Sequence, residues 1–236
     1  MILIVIPARG GSKGLKDKNL RKLMGHSLIG RAVLCAKEVK GPKRIVTTTD
    51  SKLIKIEAEA YGSEVPFIRT EDLASDLATT EDTLRDALER SEKIFGEEYE
   101  FVVYFSPSEG FLDPACVNRG VKFLSENSNL ESYFPGRSIF KNFWQQQEGG
   151  ANYIRLAEFM RQYSSRQQKR PIYREDTGRG LVTRPELWKN GHRIGNSVMI
   201  EFSNDVRADL DIHTELDLRI AELVLSEIGD HSFIPR

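Results

Sequence analysis

The sequence predicts an α/β fold, doubly wound on a mainly parallel sheet and interrupted by one small excursion. Three observations predict it. Ile2 to Ile6 and Phe101 to Phe105 are unbroken apolar runs of strand length, as expected of strands buried on both faces, since a half-exposed strand would alternate polar and apolar residues. Between them, β-branched runs alternate with segments of helical periodicity, and right-handed crossovers turn such an alternation into a parallel sheet. From Ser132 to about Lys169 this regularity degrades. The spacing therefore predicts a main α/β domain over 1–131 and 170–236 and an inserted arm or lid over 132–169. A chain of 236 residues is long enough to bury a substantial core.

Each element has a local reason. Ser27 caps a first crossover helix running to Ala36, with apolar residues at helical spacing. Arg44 to Asp50 is a β-branched strand ending in an acid. A helix follows to Ala60, and Gly62 stops it. Glu64 to Ile68 is a short third strand that Pro66 confines to an edge. The polar loop from Arg69 to Thr80 leads into a helix over about Glu81 to Phe95, with Thr79 and Asp82 spaced as a capping box. After the second apolar strand, Asp113-Pro114 opens a helix with a cap and an N-terminal proline.

The excursion is rich in aromatics (Phe134, Phe140, Phe143, Trp144) and contains a turn-like run from Gln145 to Gly150. Such a stretch in a regular sheet protein suggests a partner surface, here a dimer arm. Gly180 to Thr183 and Ser197 to Phe202 then read as strands around a short helix over Pro185 to Lys189. The last helix, Glu215 to Ile228, is capped by Thr214 with Asp217 three residues on. Asp209 and Asp211 alternate along an extended segment, which turns both side chains to one face, and His213 continues it.

Composition excludes several classes. A formal charge of -1 argues against a nucleic-acid partner, which would call for a net basic face. The N-terminal apolar run lacks the length and cleavage pattern of a signal peptide, and no segment approaches a membrane span. Cys35 and Cys116 lack metal spacing and read as buried thiols, which suits a reducing cytoplasm.

The chemistry concentrates after the first strand. Arg9, Lys13, Lys16, Lys18, Arg21 and Lys22 face one acid, Asp17, in a stretch punctuated by Gly10, Gly11 and Gly14. Glycines permit φ > 0 and bring backbone N–H groups close to a ligand, while Arg9, Lys13 and Lys18 neutralise phosphate oxygens. The pattern predicts a polyphosphate cradle at the carboxyl end of a central strand, where open α/β sheets bind ligands, the plainer alternative being a basic surface loop. The stretch has neither the G-x-G-x-x-G spacing of dinucleotide folds nor a P-loop. Hard carboxylates at Asp211 and Asp209 suit Mg²⁺ near bound phosphates, with His213 as a further contact or a hydrogen-bonding group.

Ile6-Pro-Ala8-Arg9-Gly10-Gly-Ser12-Lys13-Gly14, followed by Lys18-Asn19 and Ser27-Leu-Ile, resembles the nucleotide-binding signature of CMP-N-acylneuraminate synthetases, the cytidylyltransferases that activate sialic acids and related nonulosonates. Four further stretches are similar in order and spacing: Thr48-Thr-Asp50, Arg69 to Thr80, Arg166-Gln167 with Arg174, and Asp211 to Glu222. The family's Gln-Pro-Thr-Ser-Pro-Leu-Arg loop, whose Gln and Arg lie at the sugar site, is Ser106-Pro107-Ser108-Glu109-Gly110-Phe111-Leu112 here. The family's Asn-Gly is replaced by Asp176-Thr-Gly178, and the second Asp of its closing pair is His213.

The resemblance implies a nucleotidyltransferase-type fold, a homodimer, and transfer of CMP from CTP to the hydroxyl of an acidic sugar with release of pyrophosphate. It implies Ala8, Arg9, Gly10, Ser12, Lys13, Lys18, Asn19, Arg69 and Thr80 for the nucleotide, with Arg9, Lys13, Lys18 and Asp211 carrying catalysis. Mg²⁺ would be held by Asp211 with Asp209 or His213, and the acceptor by Ser106, Arg166, Gln167, Arg174 and Lys141, the last from a neighbouring subunit. The changed loop leaves two alternatives: a different acid acceptor, such as another ulosonic acid or a phosphonate, or nucleotide binding without turnover.

Overall fold

A computed structural model describes residues 1–161, 165, 167–230 and 233. Its centre is a seven-stranded sheet in the order β11-β6-β10-β5-β1-β4, with β9 paired to β6. In chain order, β1 (Ile2–Pro7) leads through a small ribbon of β2 (Lys22–Leu23) and β3 (His26–Ser27) into α1 (Leu28–Glu38). Then come β4 (Lys43–Thr48), α2 (Lys52–Tyr61), a short α3 (Glu71–Ala74), α4 (Thr80–Phe95), β5 (Phe101–Tyr104) and α5 (Pro114–Glu126). β6 (Ser132–Ile139), the hairpin β7 (Trp144–Gln146) and β8 (Tyr153–Arg155), β9 (Ile172–Glu175), β10 (Leu181–Thr183), α6 (Pro185–Lys189), β11 (Val198–Phe202) and α7 (Glu215–Ile228) complete it.

β1 is buried on both sides, as its apolar run predicts. Ile2, Ile4 and Ile6 face α1, α2 and α5 in one core cluster, while Leu3 and Val5 face Leu84, Ala87 and Leu88 of α4 and Trp188 of α6 in another. Its neighbours β4 and β5 both run parallel to it. β10 and β9 are the reversed strands, antiparallel to β5 and β6, so the sheet is mainly parallel in direction. The caps act where the sequence places them: Ser27 accepts from the Gly30 N–H, Thr79 from the Asp82 N–H, and Thr214 and Asp217 form a full capping box.

Two elements differ from the sequence reading. Irregularity does not begin at Ser132: Ser132–Ile139 is strand β6, buried through Gly136, with Ser132 Oγ 2.7 Å from Thr183 Oγ1. Pro135 and Gly136 disguise it as a turn. A Cβ at Gly136 would lie 2.5 Å from Ile200 Cγ2 and 2.7 Å from the Arg174 carbonyl oxygen, so this glycine admits β11 and β9 on its two sides. The excursion proper follows Ile139, where Trp144, Tyr153, Ile154 and Leu156 are exposed. The predicted strand at Glu64 to Ile68 does lie at the sheet edge, but only as two parallel bridges, Val46 with Glu64 and Thr49 with Ile68. Pro66, lacking an N–H, cannot continue a ladder.

A third, smaller apolar cluster decides the position of the site. Leu15 of the cationic loop, Leu23 and Leu28 pack with Leu210, Ile212, Leu218, Ala221 and Leu225. Each fully buried leucine or isoleucine contributes about 1.5–3 kcal/mol. The start of α7, carrying the late acidic segment, is thereby clamped against the loop leaving β1.

Candidate active site

Ala8 continues β1 by donating its N–H to the Thr48 carbonyl at 3.0 Å. The loop is then held from two sides: Asp50 Oδ1 accepts the Gly10 N–H at 2.8 Å, and Asn19 Nδ2 donates to the Arg9 carbonyl at 2.9 Å. Asn19 is buried, so it shapes the loop from beneath. Positive φ, expected of the three glycines, occurs instead at Asp17 (φ 52), just before the 3-10 turn Lys18–Leu20. Gly14 is required for close approach: a Cβ there would lie 2.6 Å from the His213 carbonyl oxygen. Lys18 Nζ crosses the same junction, donating to Ser108 Oγ at 2.9 Å and to the Ile212 carbonyl at 3.1 Å. Burial holds its pKa below the ordinary lysine value, with Asp211 pulling the other way.

The loop forms one wall of a cavity of about 500 Å³. Arg9, Ser12, Lys13, Lys18, Asn19, Arg69, Thr80 and His213 all line it, so the structure gathers these sequence-predicted residues in one place. Thr80 is the first residue of α4, whose N-terminal end is therefore turned to the cavity. Arg69 is buried and donates to Thr48 through its Nη2 at 2.5 Å and its Nε at 3.3 Å. Burial lowers its pKa to about 10, leaving it protonated at neutral pH. Arg9 and Lys13 are paired with Asp76, at 2.9 and 2.5 Å. Those hydrogen bonds, Lys13's first, hold the Asp76 carboxyl below its usual range. One carboxylate thus collects two of the three cations that the sequence assigns to phosphate.

A second cavity, of about 380 Å³, adjoins the first at Tyr104. It is lined by Arg174, Arg193, Glu109, Asp176, Asp209 and Asp211, among others. Arg174 donates to Asp176 at 2.6 and 3.1 Å and pairs with Asp209 at 3.0 Å. Asp209 also pairs with Arg137. The expectation that Asp209 extends in line with Asp211 does not hold: Asp209 closes the 3-10 turn Val206–Asp209, and two arginines neutralise it. Asp211 is exposed, with Oδ2 2.9 Å from His213 Nε2. Burial, then the neighbouring Asp211 charge, raises the Glu109 carboxyl to about 8.

The other acceptor candidates are dispersed. Ser106 lies beside the second cavity, its N–H donating to the Gly178 carbonyl at 2.8 Å. Gln167 lines a separate cavity with Ser138 and Lys169, and Lys141 is exposed at the start of the excursion. Arg166 lies outside the described residues. Elsewhere, Asp113, Cys116 and Glu201 approach within 4.8 Å of one another. There Asp113 caps α5 and Glu201 accepts from Arg119 and Tyr133, so these carboxylates already have partners. Sequence reasoning assigned no role to Asp50, Asp76, Tyr104 or Glu109. Asp50 carried a signal as an acid ending a strand beside the cradle, and Asp76 and Glu109 stood in the two loops compared with the family.

A cationic loop after the first strand of an α/β sheet, closed by an acidic segment from the far end of the chain, places the protein in the nucleotidyltransferase class. Its fold matches that of a CMP:2-keto-3-deoxy-manno-octonic acid synthetase solved with CTP, at a TM-score of 0.69 and 14% identity over 96% of this chain and 98% of that one. It also matches a 4-diphosphocytidyl-2C-methyl-D-erythritol synthase from Anaerococcus prevotii, at a TM-score of 0.64 and 13% identity over 95% and 96%. Residues 3–227 match the family described as Cytidylyltransferase, and the chain belongs to it as a CTP-dependent nucleotidyltransferase. Post-translational flagellin modification protein B of Campylobacter coli is 32% identical over 96% of this chain and 95% of its own length. CMP-N,N'-diacetyllegionaminic acid synthases of Campylobacter jejuni and Legionella pneumophila are 32% and 26% identical, each over 95% of this chain and over 95% and 96% of their own lengths. Among the described residues, no helix is long and apolar enough to cross a membrane.

Proposed function

We propose that the protein transfers CMP from CTP to the hydroxyl of an acidic nonulosonate sugar, releasing pyrophosphate, as a homodimer in the cytoplasm. The observation that supports this reading is the junction of Gly14 and Lys18 with the segment Asp211 to His213: Arg9, Lys13 and Lys18 line one cavity and Asp211 lines the cavity beside it. Nucleotidyl transfer leaves the protein little covalent work, so catalysis is mainly positioning and charge stabilisation. Arg9, Lys13 and Lys18 hold the triphosphate and take up charge developing on pyrophosphate. Ser12 completes the cradle, while Ala8 and Gly10, bound through their N–H groups to Thr48 and Asp50, and Asn19 fix its shape. Arg69 and Thr80 position the cytidine.

The acceptor enters the second cavity, where Arg174 meets its carboxylate in the fork geometry guanidinium offers. Ser106 stands beside it, and Lys141 and Gln167 reach a site through the arm of a partner chain. The exposed aromatics Trp144 and Tyr153 support that arm as the dimer contact. The donor set fits Mg²⁺, a hard cation that takes one or two carboxylates together with phosphate oxygens. Asp211 would hold it, oriented by His213. Bound there, Mg²⁺ would neutralise phosphate charge.

The experiment is pyrophosphate release from CTP and Mg²⁺ with a panel of acids: nonulosonates, other ulosonic acids and phosphonates. Release with a nonulosonate is the expected result. The altered loop Ser106 to Leu112 favours a second reading, a different acid, which predicts release with another member of the panel. Saturable CTP binding without pyrophosphate from any acceptor would refute turnover.

A further inference from the structure

Among the described residues, no arginine or lysine pairs with the Asp211 carboxylate of the cation site just described. Asp209, the expected companion, is neutralised by Arg137 and Arg174. His213 is a nitrogen donor and is engaged with Asp211 itself. A divalent cation at a nucleotidyl-transfer centre therefore lacks a second hard oxygen from the segment where the sequence places it.

That oxygen lies across an isolated backbone bridge. Glu109 and Asp211 form an antiparallel bridge. Its flanking bonds run from the Gly110 N–H to the Leu210 carbonyl at 2.5 Å and from the Ile212 N–H to the Ser108 carbonyl at 2.8 Å. Bonds in that pattern make Glu109 and Asp211 a non-hydrogen-bonded pair, whose side chains point to the same face with Cβ atoms about 4.5–5.5 Å apart. Both residues line the second cavity, while Ser108 and His213, next to them along the chain, line the nucleotide cavity. Like charges directly opposite one another destabilise a strand pair. Among the described residues, no side chain hydrogen-bonds to or pairs with the Glu109 carboxylate. The backbone also makes room for it: a Cβ at Gly178 would lie 2.5 Å from Glu109 Oε1.

We propose that Glu109 is the second carboxylate ligand of the divalent cation, facing Asp211 across the bridge at the boundary between the nucleotide and acceptor cavities. The inference rests on the cytidylyl-transfer reading above. It assigns to the altered 106–112 loop the task of restoring an oxygen ligand that His213 does not supply. His213 orients Asp211, as a hydrogen-bonded outer group does for a ligating carboxylate.

The test uses Mn²⁺ as the probe, titrated into the full chain without nucleotide and followed by loss of the free-ion electron paramagnetic resonance signal. Glu109→Gln should weaken Mn²⁺ binding by about tenfold or more. Asp209→Asn removes the same formal charge from the same cavity and should stay within about threefold of the parent, because its charge is already neutralised. Gly178→Ala keeps every charge but displaces the Glu109 carboxylate, and should weaken Mn²⁺ severalfold. Parent-like Mn²⁺ affinity in Glu109→Gln, or an equal loss in Asp209→Asn, overturns the assignment. Calorimetry of CTP binding in EDTA keeps the two levels apart. The parent and Glu109→Gln should bind CTP alike, whereas a parent that binds no CTP brings down the nucleotide reading and this assignment with it.

Discussion

Replacing Lys18 by methionine tests the central junction of the site, because this one ammonium spans both of its halves. In the free protein it donates to Ser108 Oγ and the Ile212 carbonyl. Losing a charged donor costs about 1.5–3 kcal/mol for each bond. Burial of the charge, which lowers the Lys18 pKa, works against that gain. The methionine stem keeps the packing, so the net stability change should be about 1 kcal/mol or less, read from thermal melts. A phosphate contact has no such offset. Its loss should cost about 1.5–3 kcal/mol of transition-state stabilisation, or about 10- to 150-fold in kcat/KM for CTP. Steady-state pyrophosphate release measures it. A folded Lys18→Met protein with kcat/KM within about threefold of the parent would refute the phosphate role. The pH profile carries a second signature. Lys18 is charged below its folded pKa, so the alkaline limb of kcat/KM should fall below the ordinary lysine range, and Lys18→Arg should move it upward. For stability the sign is opposite: the unfolded chain binds this proton more tightly, so stability rises with pH between the depressed folded value and 10.5.

Two further outcomes follow from the loop. Gly14→Ala drives a Cβ into the His213 carbonyl, and overpacking of this kind costs about 1–3 kcal/mol. Gly11→Ala meets open space and is the control; equal melting temperatures and CTP affinities for the two variants would contradict the close approach. Asp76→Asn frees Arg9 and Lys13 from an exposed ion-pair partner, so CTP affinity by calorimetry at low salt should tighten about two- to fivefold. Weaker binding would instead make Asp76 a positioning group for the loop.

Local chemistry made much of this protein legible. The apolar runs at Ile2 and Phe101 could only be central strands, and Ser27, Thr79, Asp113 and Thr214 marked helix starts, because caps act within a few residues of themselves. The cationic loop and Asp211 were readable for the same reason: residue type and spacing limit what such a stretch can bind. β6 was hidden because Pro135 and Gly136 answer to strands that reach them from distant positions, namely β9 and β11.

Residue type and spacing were enough for the elements and the first loop: strand burial, helix ends and the loop's cations. Tertiary structure alone decided which charges meet. Asp209 and Asp211 are two residues apart, yet two arginines neutralise one and the bridge to Glu109 sets the other beside a distant acid. Asp76 reaches Arg9 from 67 residues along the chain, and Lys13 with it. Pairing of this kind depends on three-dimensional distance, which the apolar cluster of Leu15, Ile212 and Leu218 establishes when it folds the two ends of the chain together.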